Sequence, residues 1–195
     1  MIQIVLASGS PARYQVLKNA GFQIKVLIPG IDEKIMGRMS PDELVLNLAR
    51  MKAAHVLEKH GDEIGDLPLL AADTLGDLDG MTLKKPVDRE DAFRTLAAMR
   101  GRCHKVITGF SVHYRGLVQN DICVTNVFMR SYSDDEINFY LDSGEWENKA
   151  GAYAIQGKGG LLVERIDGCY FNVMGLPLSK VWEALAKLGY PNSTE

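Results

Sequence analysis

The chain opens on an apolar block, "IQIVLA", that gives way at once to the small polar turn Ser8-Gly9-Ser10-Pro11. Such a block, bounded by turn residues, predicts a buried strand over 2–7. Ser10 and Pro11 then predict the start of a helix that runs to about residue 20 and is closed by Gly21. A second strand is expected in "QIKVLIPG". Ser40, Pro41 and Glu43 supply an N-cap, a first-turn proline and a capping box, so a helix is predicted from there to about His60, stopping at Gly61. "PLLAAD" reads as a short buried strand, and Asp79-Gly80 as the two-residue turn of a hairpin over "TLGDLDGMTLKKP". Asp88 caps a helix that ends before Gly101. Strands follow in "KVITGFSVHY" and over about 121–130, with Arg115-Gly116 between them. Ser133 and Glu136 form another capping box, for a helix that stops at Gly144. The Gly-rich segment "KAGAYAIQGKGG" leads into a second expected hairpin, "LLVERIDGCYFNV", turned at Asp167-Gly168, and a last helix near 179–188 closes the chain. Strands and helices alternate first and hairpins intrude later. This predicts an α/β fold with a mixed sheet and flanking helices.

No repeat, low-complexity tract or linker interrupts the pattern, so the expectation is one domain over residues 1–195. With 46% hydrophobic residues the chain can bury a substantial core. The net charge is −3, and no Lys/Arg run offers the basic face that nucleic acid requires. Any bound anion should be small and met by a few focused cations. Cys103, Cys123 and Cys169 are odd in number and lack a Cys-x-x-Cys spacing, which argues against a disulfide framework and a zinc site and for reduced thiols in the cytoplasm. No apolar run approaches the ~18 residues of a membrane span, and the N-terminus lacks the basic region of a signal peptide.

Chemistry is concentrated in a few places. A strand, a Gly/Ser turn and a helix N-terminus form a general anion site, with outward backbone N–H groups and the hydroxyls of Ser8 and Ser10. Arg13 falls in the first turn of that helix, where the dipole disfavours a cation. Either it points into water, or a ligand phosphate supplies the missing negative charge. Lys52 shares a helix face with Leu48 and Val56, so it either snorkels to water or reaches into a cleft. Asp73 ends the apolar run Leu69-Leu70-Ala71-Ala72. It either caps the following turn or presents a carboxylate at the strand end where ligands of α/β folds gather. A hairpin turned at Asp79-Gly80 pairs Thr74 with Lys85 and Leu75 with Lys84, returning both lysines towards Asp73. A one-residue bulge would exchange their faces. Asp32 and Glu33 are loop carboxylates that, with Asp73, can hold a hard cation such as Mg²⁺. The four histidines show no metal-ligand spacing.

Seven segments in order, "LASGSPAR", "GIDEK", "LARMKA", "AADT", "KKPVDREDA", "KAGAYAIQGKGG" and "VMGLPLS", make the chain resemble the Maf family from Ile4 to about Leu188. Members are nucleoside triphosphate pyrophosphatases, also called septum-formation inhibitors. The resemblance implies a Maf/ITPase-like elongated mixed β-sheet with flanking helices, two lobes around a central cleft, and a homodimer. It implies hydrolysis of a nucleoside triphosphate at the α–β phosphoanhydride, giving the monophosphate and pyrophosphate, with a divalent cation (Mg²⁺ or Mn²⁺). By position, the family's phosphate-binding and catalytic residues fall on Ser8, Arg13, Glu33, Lys52, Asp73 and Lys85, with Ser10 in the same phosphate turn. Asp73 matches the family's proton acceptor and Lys85 the lysine of its Lys-Pro pair; Glu33 and Asp73 are the expected metal anchors. Thr74 and Gln156 resemble the subfamily that prefers dTTP and UTP. The chain departs from the pattern at Ala12, where the family usually has an arginine tied to substrate choice, at Met51 and at Lys84. The rival expectations are a nucleotide-binding regulator of cell division without turnover, and an enzyme that removes the terminal phosphate.

Overall fold

The N-terminal apolar block forms β1 (Gln3–Ala7), fully buried from Ile4 onward. In the computed structural model, which describes residues 2–31 and 39–190, β1 pairs in parallel with β2 (Gln23–Val26) on one side and with β3 (Leu69–Leu78) on the other. Asp32 and Glu33 lie outside the described residues. The helix α1 (Pro11–Asn19) joins β1 to β2, and α2 (Pro41–Ile64) precedes β3. The remaining strands are β4 (Met81–Leu83), β5 (Cys103–Tyr114), β6 (Leu117–Met129) and β7 (Val163–Asp167). They hydrogen-bond in the order β2-β1-β3-β5-β6-β7, with β4 paired to β3. The sheet is mixed: β1 makes parallel pairs, whereas β3–β4 and β6–β7 are antiparallel.

The described chain forms two compact units. One holds the residues up to Thr74, residues 108–123 and the chain from Gly175 onward; the other holds 75–107 and 124–174.

In the first unit the order β2-β1-β3 sends successive crossovers to opposite sides of β1, and right-handed connections then place α1 and α2 on opposite faces. The core agrees. Val5, Ala7, Leu69 and Ala71 cluster with Ala53 and Val56 of α2. Because side chains alternate along a strand, the intervening residues face the other way. The contact between α2 and β5 is close: a Cβ on Gly109 would lie 2.6 Å from the backbone nitrogen of Leu46. Two elements are longer than their sequence signals. At His60 the backbone leaves helical geometry (φ −134°, ψ 20°), yet α2 resumes and ends only at Gly65, whose positive φ of 56° terminates it. β3 does not stop at Asp73 but runs on as a 10-residue strand into the hairpin.

In the second unit Asp79 and Gly80, both at positive φ, turn that hairpin, and Leu78 pairs with Met81 as the spacing predicts. The ladder ends at Gly76–Leu83. The expected pairs of Lys84 and Lys85 with β3 are absent, because the Lys84 carbonyl accepts instead from the backbone N–H of Gly151 at 3.2 Å. The helices α3 (Arg89–Met99) and α4 (Asp134–Leu141) form as predicted, capped by Asp88 and by the Ser133–Glu136 box. The second hairpin does not form. After Gly168 the chain makes the short helix α5 (Tyr170–Val173). The fully buried Asn172 holds this turn in place by donating through Nδ2 to the Val106 carbonyl and to Thr125 Oγ1, each at 3.0 Å. Thr125 Oγ1 also accepts from the Cys169 N–H at 3.0 Å. Side-chain anchoring of the "CYFNV" backbone thus replaces strand pairing. The last helix, α6 (Leu178–Lys187), follows in the first unit.

His104 is 2% exposed in the second unit, with Nε2 on the Tyr153 hydroxyl at 2.9 Å and no hydrogen-bond partner for Nδ1. Burial pushes its pKa down from 6.5 to about 4. Between those values the unfolded chain holds a proton on His104 that the folded chain does not, so stability falls as the pH drops through that window and the loss is complete below about 4. Its full size is of order 3 kcal/mol. Urea unfolding at pH 7 and pH 4.5 should show a larger acid loss for the wild type than for His104→Gln. Equal losses would mean that the imidazole is not the responsible group.

Candidate functional site

The strand order places the C-terminal end of β1 beside β3, where Ala7 pairs with Ala71, at the point where the crossovers diverge, the position at which open α/β sheets bind ligands. The residues delivered there are Ser8, just after β1, and Asp73 and Thr74 on β3. As neighbours in a strand, Asp73 and Thr74 point to opposite faces, and each meets a different helix.

On one face Asp73 meets α2. Lys52 Nζ donates to Asp73 Oδ1 at 2.5 Å, with side-chain exposures of 10% and 15%. Of the two sequence readings for Lys52, snorkelling to water is excluded. Its neighbours on α2, Leu48, Ala49, Ala53 and Val56, are all buried, and the Asp73 carboxylate compensates the ammonium charge.

On the other face Thr74 meets Arg13 of α1. The arginine is 8% exposed, which excludes the reading in which it points into water. Its Nε donates to the Gly175 carbonyl at 2.8 Å, Nη1 to Ser8 Oγ at 3.1 Å and Nη2 to Thr74 Oγ1 at 2.9 Å. A carbonyl dipole and two hydroxyl oxygens therefore face the guanidinium at a helix end that disfavours cations. The Thr74 hydroxyl is saturated. The arrangement that uses both hydroxyl protons has Thr74 donate to the Gly175 carbonyl at 3.2 Å and Thr108 Oγ1 donate to Thr74 at 2.9 Å, while Arg13 fills the other lone pair of Thr74.

The turn between β1 and α1 is arranged differently. Ser10 caps α1, its Oγ accepting the Arg13 N–H at 3.4 Å. Ser8 Oγ accepts from the Ser10 N–H at 3.2 Å as well as from Arg13, which fills both lone pairs and leaves its proton to donate. Ser8, Ser10, Arg13, Lys52, Asp73 and Thr74 are thus brought together in the first unit. Lys85 and Gln156 belong to the second unit, where both are exposed. Glu33 lies outside the described residues.

Two participants are not among the candidate residues: Thr108, which carries no motif, and Gly175, which lies in the segment "VMGLPLS". Thr108 is a fully buried hydroxyl inside an apolar strand, and a polar residue in "KVITGF" is the only sequence hint of it. Gly175 has φ +100°, and a Cβ there would stand 3.5 Å from Thr74 Oγ1 and 3.7 Å from Arg13 Nε. The glycine of "VMGLPLS" is therefore fixed by the backbone turn that aims its carbonyl at Arg13.

Among the described residues no group of three or more His, Cys, Asp or Glu side chains could hold a metal ion. A zinc-type cage is therefore not built from them. A single carboxylate, Asp73, on the strand beside the Ser8–Ser10 turn does fit Mg²⁺ or Mn²⁺, which take one or two carboxylates and complete their shell with phosphate oxygens and water.

The profile of the family described as Maf-like protein matches residues 3–188. A protein of Caldicellulosiruptor bescii named dTTP/UTP pyrophosphatase is 42% identical over 194 residues, spanning 97% of this chain and 96% of that protein. One of the same name from Dictyoglomus thermophilum is 42% identical over 191 residues, spanning 96% and 97%. Another from Fusobacterium nucleatum is 41% identical over 189 residues, spanning 96% of each.

Proposed function

The chain belongs to the Maf family, and from that membership we propose that it hydrolyses the α–β phosphoanhydride of a nucleoside triphosphate, dTTP or UTP, to the monophosphate and pyrophosphate. The observation that carries the proposal is the Lys52–Asp73 pair, with Asp73 two residues beyond Ala71, the partner of the Ala7 that precedes the Ser8–Ser10 turn. A binding protein without turnover has little use for a nearly buried carboxylate beside a polyanion. Full-length relatives named as pyrophosphatases favour the enzyme over that alternative.

In this reading the triphosphate lies against the N-terminus of α1. The outward N–H groups there, the Ser8 hydroxyl proton and the Ser10 hydroxyl receive phosphate oxygens, and Arg13 and Lys52 supply positive charge. Catalysis of phosphoryl transfer is mostly positioning and electrostatics. Asp73 takes a proton from water as the water oxygen bonds to phosphorus. The α–β bridging bond breaks, and its electron pair leaves with pyrophosphate. Asp73, with Glu33, would hold a divalent cation, which when bound neutralises charge on the phosphate oxygens. The family pattern adds Lys85 as a further phosphate cation and Gln156 as a contact to the base. The same reading makes the protein a cytoplasmic homodimer without nucleic-acid or membrane partners. No helix among the described residues is long and apolar enough to cross a membrane.

The test is product analysis over a panel of canonical and modified triphosphates with Mg²⁺ or Mn²⁺. Pyrophosphate and monophosphate are expected, fastest from dTTP and UTP. Release of orthophosphate from the terminal position, or no product from any triphosphate, overturns the proposal.

A further inference from the structure

Thr108 is fully buried on β5, and its hydroxyl bonds to that of Thr74. Burying a hydroxyl for a single bond gains little stability over a valine of the same shape, so its use has to be sought in what the bond orients. Thr74 sits next to Asp73 on β3 and has only one proton. With that proton on the Gly175 carbonyl, Thr108 must donate to Thr74, and the direction of every bond in the set is fixed: Thr108 to Thr74, Thr74 to Gly175, and Arg13 to Thr74, Gly175 and Ser8. The same residues mark places where the chain passes between its two units: Thr74 is the last residue before one passage, and Thr108 and Gly175 are the first after two others. Order in this set is therefore order in the strand that presents Asp73 to Lys52.

We infer that Thr108 is a positioning residue for the hydrolysis: by donating to Thr74 it locks the Arg13–Thr74–Gly175 set and so fixes the part of β3 on which Asp73 stands. The inference rests on the proposed function. It assigns Thr108 no contact with substrate, so binding should be spared and the chemical step slowed.

Steady-state hydrolysis of dTTP by the full chain tests it. Thr108→Val keeps the shape and removes the donor. It should lower kcat about five- to tenfold, the worth of one hydrogen bond, with KM within about twofold of the wild type. Thr108→Ser restores the hydroxyl and should return kcat to within about twofold. Thermal melting of each variant separates a slower enzyme from a smaller folded fraction. If Thr108→Val does not fold, Thr108→Cys, whose thiol is a poor donor, takes its place with the same expectation. Wild-type kcat in the valine or cysteine variant, no recovery in the serine variant, or a loss accounted for by the unfolded fraction each overturns the inference alone. A wild-type protein that releases no pyrophosphate overturns the proposed function and the inference with it.

Discussion

Asp73→Asn is expected to lower kcat by about 10²–10³-fold while leaving the fold intact and KM for the triphosphate within a few-fold. The size is that of a general base removed from a site that keeps its other groups. The substitution is nearly isosteric, and the carbonyl oxygen of the introduced amide can still accept from the Lys52 ammonium, so the 2.5 Å bond survives as a charge-assisted contact to a neutral acceptor. What disappears is the capacity to take a proton. Pyrophosphate release under saturating substrate reads this loss directly, and equilibrium binding of a non-hydrolysable triphosphate reads the rest. Turnover near that of the wild type would remove Asp73 from the chemical step. A binding loss as large as the rate loss would show that the carboxylate holds the cation and substrate rather than the proton.

How much of this is legible in the sequence depends on whether a signal is local. Turn and cap residues act within a few positions, and the elements they predict are present: Ser10 and Pro11 open α1, the Ser40–Glu43 box opens α2, and Asp79-Gly80 turns the hairpin with Leu78 against Met81. The failures are tertiary. Asp167-Gly168 is as good a local turn signal as Asp79-Gly80. Yet Asn172 and Cys169 are tied to Val106 and Thr125, far away in sequence, and the segment becomes a helical turn. Counting back from the first turn sets Lys84 and Lys85 against β3, and the count fails where a distant glycine, Gly151, captures the Lys84 carbonyl. The site shows the same division. A carboxylate at the end of an apolar strand and a cation on an apolar helix face are readable one by one, and each leaves two readings open. Only the fold pairs Lys52 with Asp73 and turns Arg13 from the helix end to Thr74 and Gly175. Thr108 shows in the sequence only as a polar residue in an apolar run, because its hydroxyl partner lies on another strand.

Lys52→Met gives the second large effect and the sharper test of the pair. The substitution keeps the length and apolar stem that pack in α2 and removes the charge. Asp73 is then left as a carboxylate with 15% side-chain exposure and without its ammonium partner. Removing one member of a buried ion pair costs ~3–5 kcal/mol; the residual access to water brings the expectation here to roughly 2–3 kcal/mol. Chemical denaturation at pH 7 measures it. Turnover should fall about 10²-fold as well, because the phosphates lose a point charge. If the cost comes from the stranded carboxylate, it must shrink when the carboxylate is neutralised. The double variant Lys52→Met/Asp73→Asn should therefore be more stable than Lys52→Met alone, by about 1–2 kcal/mol of coupling. A structural lysine that merely packs its stem predicts the opposite, that the two substitutions add. Additive stabilities would dissolve the pair on which the proposed chemistry stands, whatever the activity of the single variants.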